Sequence, residues 1–220
     1  MDFGSLERLD LFRGVSRAEI TRVCGCLRGE VRNYAKGEAV IREGDSVRRV
    51  GVVLKGRARS VKTGVSGRNF TVALLNEGSY IGVLLAFSSE RKSHVTVEAT
   101  ERLSVLFLPA SKLIGKCEKS CPAHDRVIYN VIEAVSEKAL LLHERNDCLI
   151  KNTVREKTLT FLTRYSEKEG AGAFEIPFDR EGMAEYLNVD RSALSRELSR
   201  MKKEKIIDFY KNTFKILTKI

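Results

Sequence analysis

The sequence predicts an α+β fold in three parts: an N-terminal β jelly roll of the cupin-like kind, a long helix, and a C-terminal winged helix-turn-helix. Three observations predict it. Residues 30–110 alternate short apolar runs with Gly, Asp, Asn and Ser. Residues 122–149 hold no glycine and no proline after Pro122. Residues 178–217 run helix, tight break, helix and hairpin. At 220 residues and 43% hydrophobic content the chain suits two small packed domains rather than one. The expected divisions are 1–118 for the jelly roll with N-terminal helices, 119–150 for the long helix and 151–220 for the winged domain.

The strands are read from apolar runs bounded by turn residues. Val31–Tyr34 leads to Lys36-Gly37-Glu38, Ala39–Ile41 to Glu43-Gly44-Asp45, and Val50–Leu54 to Lys55-Gly56-Arg57. Ala58–Lys62 and Phe70–Leu75 flank a loop around Gly64 and Gly67, and Val95–Ala99 and Leu103–Leu108 complete the set. Strands at this spacing argue for a sandwich or jelly roll. Gly78-Ser79-Tyr80-Ile81-Gly82 interrupts them and precedes a short apolar, helical stretch from Val83. Backbone amides at such a turn can cradle an anion, and a barrel corner can equally require its glycines.

Pro122 suits a first helical turn, with Ser120 or Cys121 before it. Ile128, Ile132, Val135, Ala139, Leu142 and Leu149 then recur at heptad-like spacing, interrupted by Asn146. Such a stripe fits a partner helix, and a two-fold pair would present two reading helices to a palindromic site. A second helix is expected from Asn152 to about Ser166, with a hinge near Ile150–Asn152 and a flexible turn at Gly170-Ala171-Gly172.

Asp179 is placed to cap a helix whose apolar side is Met183, Ala184 and Leu187. Leu187-Asn188-Val189 is too short for a loose loop, and Asn188 tolerates a left-handed backbone. Asp190 then caps a second helix with Leu194, Leu198 and Met201 facing inward and Arg191, Ser192, Ser195 and Arg196 in its first turns. Ile206–Tyr210 and Phe214–Leu217 flank Lys211-Asn212-Thr213 as a hairpin, the wing. Two helices set this way let the second enter a DNA major groove. Charge agrees: the net charge is +10, and residues 191–220 carry nine Lys/Arg against three acids.

No apolar run approaches a membrane span. The segment MDFGSLERLDLFRGV has no apolar core or cleavage site, so a cytoplasmic protein with no membrane association is expected. Five cysteines (24, 26, 117, 121 and 148) are then read as reduced thiols. There is no P-loop, G-x-S-x-G, H-E-x-x-H or zinc-like spacing, so an enzyme is the least supported class.

With the Gly-punctuated turns above, Gly78–Gly82, Val95–Ala99 and Val189-Asp190-Arg191-Ser192-Ala193-Leu194-Ser195-Arg196, the chain resembles the CRP/FNR family of bacterial transcription regulators along nearly its whole length. The resemblance implies a homodimer, double-stranded DNA with a palindromic operator, and RNA polymerase as partners. It implies that Arg191 and Arg196 carry base or phosphate contacts with Ser192 and Ser195 in support, and that Arg200, Lys202, Lys203 and Lys211 meet phosphates. A family glutamate often stands where this chain has Ser192, so the operator should differ from those of glutamate-bearing members. It places the effector pocket at Gly78, Tyr80, Gly82, Val83, Ser93 and His94. Members that bind cyclic AMP follow the second cassette glycine with an acid and carry an arginine for the phosphate. Here those positions are Val83 and about Ser93, which argues against cyclic AMP. Cys24-Gly25-Cys26 is too sparse for the family's iron–sulfur cluster, and His94 does not align with the histidine of haem-binding members. The effector is an unidentified small molecule. The competing readings are a regulatory or interaction protein that does not bind DNA, and a redox- or haem-sensing member.

Overall fold

The computed structural model describes residues 6–64, 69–115, 121–170 and 172–218. Gly67, Cys117, Ser120, Ala171 and Lys219 lie outside the described residues. The chain forms two compact units, Met1–Ser136 and Glu137–Ile220.

In the first unit, two 3-10 turns (Leu6–Arg8 and Asp10–Phe12) and α1 (Arg17–Cys26) precede the strands. Ser16 and Glu19 form a capping box that starts α1. The strands are β1 (Glu30–Tyr34), β2 (Ala39–Ile41), β3 (Arg49–Lys55), β4 (Ala58–Thr63), β5 (Asn69–Leu75), β6 (Tyr80–Ile81), β7 (Thr96–Ala99) and β8 (Leu103–Pro109). They form two antiparallel four-stranded sheets, ordered β1-β8-β3-β6 and β2-β7-β4-β5. This is the expected jelly roll, with the expected strands in place to within a residue or so. β6 is the addition. It is two residues long and pairs with Gly51 and Val52 of β3, so it carries no pattern of its own.

The centre of the first sheet is dry. Val50, Val52 and Val53 of β3 and Val105, Leu106 and Leu108 of β8 are completely buried, each worth roughly 1.5–3 kcal/mol over an exposed site. Ile20 and Val23 of α1 join the same cluster, so both ends of the alternating pattern find apolar partners. Between β3 and β4, Gly56 has φ +88° and a Cβ there would lie 2.2 Å from the Arg102 carbonyl oxygen. Only glycine fits.

After α2 (Val83–Ala86) and α3 (Ala110–Leu113) comes α4, Pro122–Leu149, 28 residues and about 42 Å long. Its first turns bury Ala123, Val127 and Val131 in the jelly-roll cluster. Buried Asn130 donates to the carbonyls of Leu11 and Arg13, each at 3.0 Å. Along the expected stripe, Ile128, Val135 and Leu149 are half-buried, and Ile132, Ala139, Leu142 and Asn146 are exposed. The division between the two units falls inside α4, after Ser136. The stretch 150–152, where a hinge is expected, lies within the second unit.

The second unit continues with α5 (Val154–Glu169), started by a Thr153–Glu156 capping box, then β9 (Ala173–Glu175), α6 (Arg180–Leu187), α7 (Arg191–Lys203), β10 (Ile207–Tyr210) and β11 (Thr213–Ile216). β10, β11 and β9 form one antiparallel sheet in that order. β9 is absent from the sequence reading. Its three residues become a strand by pairing with β11, some forty positions away, and by burying Phe174 against Phe214. Phe161, Leu162, Met183, Leu187, Leu194, Leu198, Met201 and Ile207 complete the core. No helix among the described residues is long and apolar enough to cross a membrane.

Candidate nucleic-acid interface

Local chemistry sets the angle between α6 and α7. The Asp179 side chain accepts from the Gly182 amide at 2.7 Å and starts α6. Asn188 ends it in the left-handed region (φ 50°, ψ 58°), and the Val189 amide closes back on the Ala184 carbonyl at 3.0 Å. Two cations meet the carbonyls at this helix end. Arg145 of α4 donates to Tyr186 O (3.1 Å) and Glu185 O (3.3 Å), and Lys157 of α5 donates to Leu187 O (3.3 Å).

Asp190 caps α7 by accepting from the Ala193 amide at 3.0 Å and from Ser192 Oγ at 2.5 Å. The Ser192 hydroxyl, then the Ala193 amide, hold the Asp190 carboxyl below its ordinary value. An ionised carboxylate only accepts, so the Ser192 proton is committed to it and the outward lone pairs remain.

Leu194, Leu198 and Met201 anchor the inner side of α7. On the outer side, Ser195, Arg196, Ser199, Arg200 and Lys203 line an open concavity of about 440 Å³. Arg196, Arg200 and Lys203 stand at i, i+4 and i+7, one cationic stripe along the helix. The side chains of Arg196 and Lys203 make no hydrogen bond or ion pair with any described residue, and Arg196 acts on Asp190 only through its field. Arg191 lies 3.7 Å from Glu181, and both are exposed, a contact worth at most about 1 kcal/mol.

The acids of α7 are neutralised from behind. Arg155 of α5 holds Glu197 at 2.5 Å and Glu204 at 2.8 Å. Those hydrogen bonds, Glu204 first, raise the Arg155 pKa. Glu204 also accepts from Arg200 at 3.0 Å. The outer face of α7 therefore stays positive although Glu197 lies within the helix and Glu204 caps its end.

The structure separates two residues that the sequence grouped. Arg200 lines the concavity, whereas Lys202 turns to the wing, pairing with Asp208 at 2.6 Å and donating to Phe209 O at 3.0 Å. Lys211 sits at the wing tip, exposed, with φ 52°. Lys203, Arg155, Arg145 and Arg180 belong to the same construction. The three arginines act on partners about 30 or more positions away and leave no local pattern.

The jelly-roll cassette is built differently. Gly78 (φ 83°) and Gly82 (φ 71°) bound β6, and a Cβ on Gly82 would lie 2.7 Å from Val47 Cγ1. Val47 donates its amide to Arg91 O, and Gly44 to Ser93 O, each at 2.7 Å, so Gly82 and Ser93 both lie at the Gly44–Val47 segment, while Gly78 donates to Val53 O and Tyr80 pairs with Val52. Val83 is buried at 5% exposure and Ser93 at 3%. The Ser93 hydroxyl donates to Val95 O at 2.7 Å. His94 instead points to the surface, 3.5 Å from Glu90. Of the cysteines, Cys24 and Cys148 are buried and Cys26 is exposed. Burial pushes the Cys24 thiol up to about 11. The described residues contain no group of three or more His, Cys, Asp or Glu arranged to hold a metal ion.

Residues 31–120 match the cyclic nucleotide-binding domain family and residues 156–219 the Crp-like helix-turn-helix domain family. The chain is 26% identical over 187 residues to the transcriptional activator protein FnrL of Cereibacter sphaeroides, covering 80% of this chain and 71% of that one. Its fold is similar to that of CprK complexed with OCPA (TM-score 0.69, 16% identity, 90% and 91% of the two chains). It is likewise similar to a CooA mutant from Carboxydothermus hydrogenoformans (TM-score 0.62, 18% identity, 88% and 86%). Both matched domains are present in the one chain, and the chain belongs to the CRP/FNR family of transcription regulators.

Proposed function

We propose that the chain is a sequence-specific DNA-binding regulator that works as a homodimer on a palindromic operator and answers to a small molecule other than cyclic AMP. The observation that carries the DNA reading is the outer face of α7. Arg196 and Lys203 there are unpaired, and the α7 acids are held by Arg155 behind it. Arg191 and Arg196 are the base readers, with Ser195 in support. Ser192 offers lone pairs and so suits an exocyclic amine in the major groove. Arg200, Lys203 and Lys211 meet phosphates, and Lys202 supports the wing.

Homodimerisation rests on α4, where Ile132 and Leu142 are 58% and 50% exposed on the heptad stripe. Apolar surface of this extent on a helix calls for a partner helix, and a second copy supplies one. FnrL is a transcriptional activator, and the family reading adds RNA polymerase as partner and the cytoplasm as location.

The effector corner does not suit a cyclic nucleotide. Val83 is apolar and buried where an acid would hold a ribose hydroxyl, and the Ser93 hydroxyl is already bonded to Val95 O. A phosphate brought there would meet no cation from either position. The effector is therefore expected to be uncharged or to bind by other groups of the Gly78–Val83 and Ser93–His94 segments.

The test is binding to duplexes selected from random sequence, read by fluorescence anisotropy over a salt series. Binding to a palindrome that weakens steeply with salt is expected. Arg196→Ala should remove about 1–3 kcal/mol of preference for the selected site and leave the oligomeric state unchanged. A wild-type protein indifferent to duplex DNA would remove this reading.

A further inference from the structure

At the start of α6, the Arg180 guanidinium lies 4.9 Å from the centroids of both Phe209 and Phe214. Its Nη2 donates to the carbonyl of Lys211 at 2.8 Å. Its Nη1 is buried with no hydrogen-bond partner among the described residues. Burial lowers its pKa, the direction expected of a cation taken from water. A half-buried cation with one buried, unsatisfied donor is unfavourable unless something else requires it there. Two ring faces account for part of its placement, since each attracts a cation. The hydrogen bond to Lys211 accounts for the rest.

Lys211 needs such a bond. It occupies the left-handed region at φ 52°, a conformation disfavoured for any residue with a Cβ, at the tip of the β10–β11 hairpin. The next carbonyl, that of Asn212, accepts from the Ile176 amide at 2.9 Å. The turn is thus tied by both of its central carbonyls, and only one tie is a side chain. The Lys211 ammonium itself is exposed and lies 5.6 Å from the Tyr210 ring centroid.

We propose that Arg180 is a positioning residue for the wing: seated against the Phe209 and Phe214 rings, it holds the Lys211 carbonyl and so fixes the direction in which the Lys211 ammonium is presented to a DNA phosphate. The inference rests on the DNA-binding reading above. Arg180 acts through Lys211 and does not itself touch DNA. Its Nη2 is engaged by the Lys211 carbonyl and its Nη1 is buried, so the fork is turned into the wing.

The experiment is a double-mutant cycle with Lys211→Ala, Arg180→Met and the pair, reading duplex affinity against salt. Lys211→Ala should weaken binding several-fold, equally on selected and unrelated duplexes, and reduce the slope of log K against log salt by about 0.9. Arg180→Met should reproduce both changes, and the pair should lose no more than either alone. Arg180→Lys, which keeps the charge against the rings but not the planar fork, guards against misfolding and should behave like Arg180→Met. Additive losses with a slope reduced by about 1.8 would mean that Arg180 contacts phosphate itself and would overturn the proposal. So would a lower melting temperature with an unchanged slope, which is what a merely structural arginine gives. If wild-type protein shows no duplex binding at all, it is the DNA-binding reading that fails.

Discussion

On α7, Arg196 and Lys203 face solvent with no described partner, while at the β6–α2 corner the Ser93 hydroxyl is bonded to the Val95 carbonyl and Val83 is buried. Both places were expected to meet a ligand, DNA at the first and an unidentified small molecule at the second. Only one keeps charged groups unengaged. The contrast teaches that the two ends of this regulator differ in preparation. The output face is a fixed cationic surface that needs only a polyanion, whereas the input corner is a packed, internally satisfied piece of the jelly roll. A ligand there must either fit the apolar environment or displace existing hydrogen bonds.

The contrast can be broken at three points. The largest effect is expected at the corner itself. Val83→Glu places a carboxylate at a site with 5% exposure and no cation from the Ser93 position, so thermal unfolding should show a loss of several kcal/mol. Millimolar cyclic AMP should not restore it, nor raise the melting point of wild-type protein. A saturable rise in either would show that the corner is prepared for a nucleotide after all.

An intermediate effect is expected on the output face. Lys203→Ala should weaken binding to all duplexes alike and reduce the salt slope by about 0.9, whereas Lys202→Ala should lower stability while leaving that slope unchanged. Equal slopes for the two variants would mean that the division of neighbouring lysines between DNA and wing is wrong.

The smallest effect concerns the cap of α7. Asp190 has a folded pKa below its unfolded value. Its contribution to stability is therefore present above about pH 4 and is lost as pH falls through the lower, folded value. Asp190→Asn, which keeps a capping oxygen but not the charge, should flatten that part of the stability–pH curve. An unchanged acid limb would assign it to other carboxylates.

Much of this arrangement was legible in the sequence because it is local. Asp179, Asn188 and Asp190 declare the helix-turn-helix through capping and turn chemistry that acts over three residues. Leu194, Leu198 and Met201 declare the inner face through helical spacing. The jelly-roll strands declare themselves through glycine punctuation. What was not legible depends on partners distant in the chain. β6 and β9 are too short for any period and exist because β3 and β11 pair with them. Lys202 and Lys203 look alike in sequence, and only the position of Asp208 and the Phe209 carbonyl separates them. Ser192 reads as a group able to donate or accept until the Asp190 carboxylate takes its proton.

Arg155 has a further consequence. Because it grips Glu197 in the middle of α7 and Glu204 at its end, α7 is splinted to α5 at two points more than a helical turn apart. A splinted rod does not pivot. The two ion pairs oppose tilting or sliding of α7 on its own, so a signal that tunes affinity is expected to act on α5 and α7 together. Cutting one splint, as in Glu197→Gln, would be expected to give a regulator that tolerates more operator variants, rather than one that binds its own operator less.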